Sequence, residues 1–272
     1  VAVGMSAGEA VTTGIENTFI GGLAGNKITI GEYNISLGAR ALSADTRGSQ
    51  NVAIGAYSLT TQNFVSATAS HNVAVGTNTG RYITTGTNNT LIGGTSGDAL
   101  TDADYNVAIG FGSLSGDTLG SRSTAIGYNA LNAQNFVSAT DTYNTAVGFG
   151  AGGSVTTGIR NVLIGGLAGT ALTDADTLGS GSVAIGDFTL VNQNFTSATN
   201  AYNTAVGYAA GSSITTGFQN TLIGGSAGDA LTDADYNVAL GALALGSDTL
   251  GSRSTAIGRL ALGTQNFVSA TD

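Results

Sequence analysis

Cysteine, proline and tryptophan are absent from these 272 residues, and methionine occurs once. Without cysteine there is no disulfide scaffold and no zinc-thiolate site. Charge is also scarce: Asp, Glu, Lys and Arg make up 9% of the chain, against about a quarter in an average globular protein. Basic residues are fewest, with eight Lys and Arg against seventeen Asp and Glu and a net charge of −9. No basic run exists to neutralise phosphates, which argues against nucleic acid as a partner. No apolar run approaches transmembrane length, which excludes membrane insertion by a helix. Low charge could suggest disorder, but 42% hydrophobic content and a strict positional pattern argue against it. A cysteine-free chain of this kind suits a secreted or virion protein that draws durability from backbone pairing.

What the chain has in abundance is glycine, 43 residues, placed by a phrase that occurs fifteen times. One polar or small residue opens it, three strand-type residues follow, and glycine closes it, as in Asn51-Val-Ala-Ile-Gly55, Asn89-Thr-Leu-Ile-Gly93 and Ser123-Thr-Ala-Ile-Gly127. The closing glycines, among them Gly55, Gly76, Gly93, Gly110 and Gly127, are 17 or 21 residues apart and nothing else. Three steps of 17 and one of 21 form a larger unit of 72, giving super-repeats 4-75, 76-147, 148-206 (one turn short) and 207-272 (truncated). The short unit has lost a turn by fusion between Gly165 and Gly186, and the rest keep their spacing, as expected where each turn contacts only its neighbours. The chain starts inside a phrase at Val1 and stops inside a turn at Asp272, which reads as one section of a longer polypeptide.

Repetition this short predicts an all-β, parallel β-solenoid or β-roll of about fifteen turns. Seventeen residues are too few for a helix–strand unit but suffice for two short strands and two bends. Turns stacked at about 4.8 Å make a rod of roughly 70 Å. The third residue after each glycine is always small and the fourth always Gly or Leu, so equivalent residues form ladders. Period-2 alternation puts the first and third phrase residues on one face. The always-apolar third position is assigned to the interior. The mostly alanine second position, which includes Ala125 and Ala146, is then the outer face against which another chain packs. A closed symmetric oligomer follows, and Ala125 or Ala146 changed to Leu is expected to disrupt it.

The phrases Asn-Val-Ala-Ile-Gly, Ser-Thr-Ala-Ile-Gly and Asn-Thr-Ala-Val-Gly resemble the head repeats of trimeric autotransporter adhesins. Longer strings, such as Asn144-Thr-Ala-Val-Gly-Phe-Gly-Ala-Gly-Gly-Ser-Val-Thr-Thr-Gly158, are similar to repeats of bacteriophage tail-fibre proteins. The resemblance spans essentially the whole chain and implies a homotrimer of interlocked left-handed parallel β-rolls. Two features depart from the adhesin pattern. The turns are longer, and every fourth one carries an insertion with Gln-Asn-Phe, at Phe64, Phe136, Phe195 and Phe267.

Four sets of residues invite a functional reading. Asp-x-Asp recurs as Asp102/Asp104, Asp174/Asp176 and Asp233/Asp235, always in Ala-Leu-Thr-Asp-Ala-Asp. Carboxylates two apart in a bend could hold Ca²⁺, which takes six to eight oxygens; a solvated turn accepting nearby N–H groups is the competing reading. The four Gln-Asn-Phe loops could touch a glycan, but a large aromatic is usually buried, and the phenylalanines are expected as plugs over the coil. His71, the single histidine, precedes Asn72 as Tyr143 precedes Asn144, an aromatic slot with no nucleophile nearby. The phrase-opening Asn, as at Asn51, Asn72, Asn89 and Asn106, is expected to stack into an amide ladder. No catalytic, cofactor-binding or metal residue is assigned. A glycan-cleaving enzyme needs paired carboxylates of distinct role, and the aspartates here sit in copies of one loop. The functional expectation is a structural homotrimeric shaft of a virion tail or neck fibre, positioning an unseen tip that binds a host cell-surface glycan or protein. The alternative is a bacterial surface adhesin head that binds host matrix or other cells.

Overall fold

The computed structural model describes residues 1–174, 181–195 and 200–269. It is all-β, a parallel β-solenoid of about 14 turns. Two compact units make it up: Val1–Asn129 with Asn135–Asp141, and Ala130–Gln134 with Thr142–Asp272. In the first, eight phrase strands, beginning with Ala2–Val3, Thr18–Ile20 and Ile35–Leu37 and ending with Val107–Ile109 and Thr124–Ile126, pair in parallel in sequence order. In the second, seven strands from Thr145–Val147 to Thr255–Ile257 do the same. The register is strict. Val73, Ala74 and Val75 lie beside Thr90, Leu91 and Ile92, which lie beside Val107, Ala108 and Ile109.

Each turn carries one phrase strand, of three residues except for Ala2–Val3, and not two strands of that length. Among the described residues a second ladder forms only in two-residue pieces, Gly48–Ser49 with Thr68–Ala69, Gly120–Ser121 with Thr140–Asp141, and Thr173–Asp174 with Asn194–Phe195. Left-handed backbone is the physical reason. Among the described residues, thirty-three other than glycine have positive φ, although such residues ordinarily make up a few per cent. They fall in fixed columns: the second residue after the corner glycine (Asn78, Thr95, Asn129), the fourth (Leu59, Leu114, Leu131) and the residue before the opener (Tyr105, Arg122, Tyr236). The first column is a turn signature. Ser58 N–H donates to Gly55 O at 3.4 Å with Tyr57 at φ 60° between them, the left-handed third residue that a type II turn uses. Three such reversals in a turn leave no room for a second long strand.

Inside and outside are the reverse of the sequence expectation. Ala53, Ala74, Ala108, Ala125, Ala146, Ala184 and Ala205 are fully buried. The flanking residues point outward, with Ile92 at 38%, Leu37 at 42% and Leu240 at 44% exposure. Ala125 and Ala146 therefore line the coil's interior and are not an inter-chain face. Space decides this, not hydrophobicity. The inward parity also carries the opener Asn, and the opposite wall brings Leu59, Ile83, Leu100 and Leu131, all buried. Room is so short that a Cβ on Gly80 would lie 2.9 Å from Leu91 Cδ1 and 3.0 Å from Leu59 Cδ2. Size is thus traded between positions. Turns with Leu at mid-strand (Leu91, Leu163, Leu222) have Gly at the fourth place after the corner (Gly97, Gly169, Gly228), as do the alanine turns just before them (Gly80, Gly152, Gly211), whose absent Cβ would meet those leucines; other alanine turns, such as those of Ala108 and Ala125, have Leu114 and Leu131 there.

Candidate functional site

The opener column is the main polar seam. In Asn89 the side-chain Nδ2 donates to Ala103 O at 2.7 Å across its own turn, while Oδ1 accepts Asn106 N–H of the next at 3.0 Å. Asn72, Asn106, Asn203 and Asn220 repeat the pattern. All are fully buried, so these amides are committed to the backbone.

The Gln-Asn-Phe insertion sits on a buried polar relay that the sequence reading did not find. Asp45, fully buried, accepts Gly48 N–H at 2.9 Å and Gln62 Nε2 at 2.7 Å, and Asn72 Nδ2 donates to Gln62 Oε1 at 2.9 Å. Asp248 and Gln265 form the same contact at 2.7 Å. Each Asp stands 17 residues before its Gln, one turn away, which is the signal that identifies the pair. Phe64, Phe136 and Phe195 are 6%, 2% and 5% exposed. Backbone N–H groups of Phe64, Phe136 and Phe267 donate to Asp45, Asp117 and Asp248. Phe267 itself is 40% exposed. The loop tips carry Val65 and Val137, at 90% and 89% exposure.

The Asp-x-Asp carboxylates serve the turn before them. Thr85 Oγ1 donates to Asp102 Oδ1 and Thr216 Oγ1 to Asp233 Oδ1, both at 2.6 Å. Asp104 Oδ1 accepts Thr87 N–H at 2.6 Å and Thr87 Oγ1 at 2.9 Å; Asp235 Oδ1 accepts Phe218 N–H at 2.9 Å. The arrangement binds layers together through single oxygens and does not gather a coordination sphere. Burial raises the Asp235 carboxyl above the usual aspartate range, opposed by the Phe218 N–H; neighbouring Asp233 adds to the rise and Arg253 opposes it. Asp176 lies outside the described residues. Among the described residues no three His, Cys, Asp or Glu come together as metal ligands. His71 occupies an exposed left-handed corner at φ 50°.

The remaining feature is the outward sheet face. Its third-position column is Ile, Val or Leu in every phrase and its first-position column Val, Ile or Thr, with no charge in either. Two margins flank it. After the corner glycine stand Phe111 and Tyr128, 58% and 48% exposed and stacked at 5.9 Å. Before the opener stand Tyr105, 51% exposed, and Arg122, whose guanidinium lies 4.9 Å over the Tyr105 ring and whose Nε is 3.0 Å from Asp141. In the second unit Tyr208 on the first margin packs edge to face on Phe188, which stands second after Gly186, behind Asp187, and Arg253 lies over Tyr236 on the other margin. The recurrence of Phe or Tyr after the glycine, and of Tyr or Arg before the opener, is visible in the sequence once the face is known to point outward.

No helix among the described residues is long and apolar enough to cross a membrane. Comparison with family models, with curated proteins and with solved structures returns no match to this chain.

Proposed function

We propose that this chain is a shaft section of a homotrimeric fibre of a virion, in the tail or neck, whose work is to hold a receptor-binding tip at a distance. The observation that carries the reading is the charge-free aliphatic sheet face, renewed in every turn and open to solvent on the single chain. An exposed, flat, apolar sheet surface of this kind marks an interaction site. Its rungs repeat at the parallel-strand spacing of about 4.8 Å, and a second copy presents the same columns rung for rung. In the first unit eight rungs at about 4.8 Å and three-residue strands about 10 Å wide present roughly 400 Å², and the flanking margins extend this toward the ~800 Å² per partner of a stable interface. The buried amides of the opener column and the Asp45 carboxylate bond both within a turn and to the next layer, which suits a stiff member. Sedimentation equilibrium of the purified chain tests the proposal: the expected mass is three times 26.7 kDa. A species of single-chain mass at micromolar concentration overturns it.

A further inference from the structure

The two margins of the sheet face are chemically unlike in the first unit; in the second the margin after the corner glycine also carries Asp187 and Arg259. In the first unit the margin after the corner glycine reads Met5, Gly22, Ala39, Ala56, Thr77, Gly94, Phe111 and Tyr128, without a charge. The margin before the opener reads Glu16, Tyr33, Gln50, His71, Asn88, Tyr105 and Arg122, polar or charged except where it is tyrosine. Phe111 lies against Gly94, whose Cβ would be 3.2 Å from its ring. One ring face stacks on Tyr128, while the ring stays 58% exposed. On the other margin Arg122 keeps 42% of its side chain exposed, beside the half-exposed Tyr105.

Resting on self-association through this face, we infer that the margins pair unlike with unlike. The Phe111/Tyr128 margin of one copy lies against the Tyr105/Arg122 margin of the next. Like margins brought together by a two-fold axis would set Arg122 against Arg122, and phenyl against phenyl. Unlike pairing gives the guanidinium and phenol of one copy an aromatic neighbour on the next, in a composition of Tyr, Phe and Arg typical of interface hot spots. Such contacts are heterologous, and with parallel chains they close into a ring. The paired residues, not the aliphatic centre, then set which way round the copies assemble.

The cysteine-free chain makes the test direct. Positions 105 and 111 of one chain lie on opposite margins, up to about 20 Å apart along extended backbone, beyond disulfide reach. The double variant Tyr105→Cys/Phe111→Cys, oxidised mildly, is expected to give reductant-sensitive covalent dimers and trimers. Each single variant is expected to give none, and the two single variants refolded together a covalent dimer. The pair Phe111→Cys/Arg122→Cys covers a stagger of one turn. A second probe keeps an aromatic in place: p-benzoylphenylalanine at position 111, irradiated and mapped by mass spectrometry in a mixture of isotopically light and heavy chains, is expected to join the region of residues 105 and 122 of another chain. Self-linking of Phe111→Cys, or photo-adducts on the other chain's 111 and 128 region, overturns the inference. So does an oligomer that shows neither the cross-links nor the adducts. A wild-type chain that sediments as a monomer removes the homotrimer reading itself, a separate failure.

Discussion

Asn89 shows how one side chain serves two layers. Its amide satisfies the carbonyl of Ala103 and the N–H of Asn106, both in a region closed to water. Asn89→Ala strands both groups, each at about 1–3 kcal/mol, so the unfolding free energy is expected to fall by roughly 2–5 kcal/mol, read from denaturant midpoints. The carboxylates make the opposite case. Burial, opposed by local N–H groups, raises Asp98, with Arg81 also opposing; burial raises Asp229, opposed first by Ser226. Asp229 Oδ1 is shielded from solvent without a hydrogen-bond partner. A carboxyl whose folded pKa lies above its unfolded value favours the fold in its protonated form. The contribution is fully present below the unfolded value of 3.8 and is lost as pH rises through the folded one. These groups are thus expected to make the chain more stable as pH falls through the carboxylate range. Asp229→Asn is expected to raise stability at neutral pH and flatten that dependence, read as thermal midpoint against pH. At position 26 of the same column stands an asparagine; with its amide turned so that nitrogen faces the carbonyls, it donates to Leu23 O and Ser43 O at 3.2 and 2.9 Å.

At the scale of the turn, the corner glycine is the constraint. Gly76 has φ 139° and its absent Cβ would lie 2.6 Å from Gly93 O, in a region only glycine enters freely. Gly225 has nothing within 4 Å of its Cβ position. Gly76→Ala is expected to cost at least roughly 1–3 kcal/mol from backbone strain alone and to open hydrogen exchange in the two turns it joins, while Gly225→Ala leaves exchange unchanged. The period, the parallel stacking and the corner itself were legible from the spacing of glycines. The missing second strand was not, because Tyr105, Arg122 or Leu114 in a left-handed conformation carries no mark in a sequence that names the residue alone. The inside–outside assignment failed because it weighed apolarity at Ile126 above volume at Ala125. The clue was present: Ser123, the opener, shares the alanine's parity and is itself buried, and side-chain bonding between layers requires an inward address.

For the molecule as a whole, the inversion moves the proposed association surface to the outward aliphatic face. Ile109→Glu with Ile126→Glu puts charge on the outer face and is expected to yield monomers that keep the β circular-dichroism spectrum. Ala125→Leu overfills the interior and is expected to lower the unfolding midpoint, at a cost of typically 1–3 kcal/mol. Sedimentation and circular dichroism on both variants separate the two effects; a trimeric double-Glu variant shows that copies meet elsewhere.

Near-copies stacked in series invite slippage, and the Asp45–Gln62 contact answers it. Shift the coil by one rung and Asp45 meets an aliphatic at the place Gln62 holds, as Ile83 or Leu100 would supply. A carboxylate left without a donor in such a place is costly by several kcal/mol. The Asp45–Gln62 pair is therefore a password that only the correct next rung can return, and the coil miscounts its own steps no further than the nearest such pair.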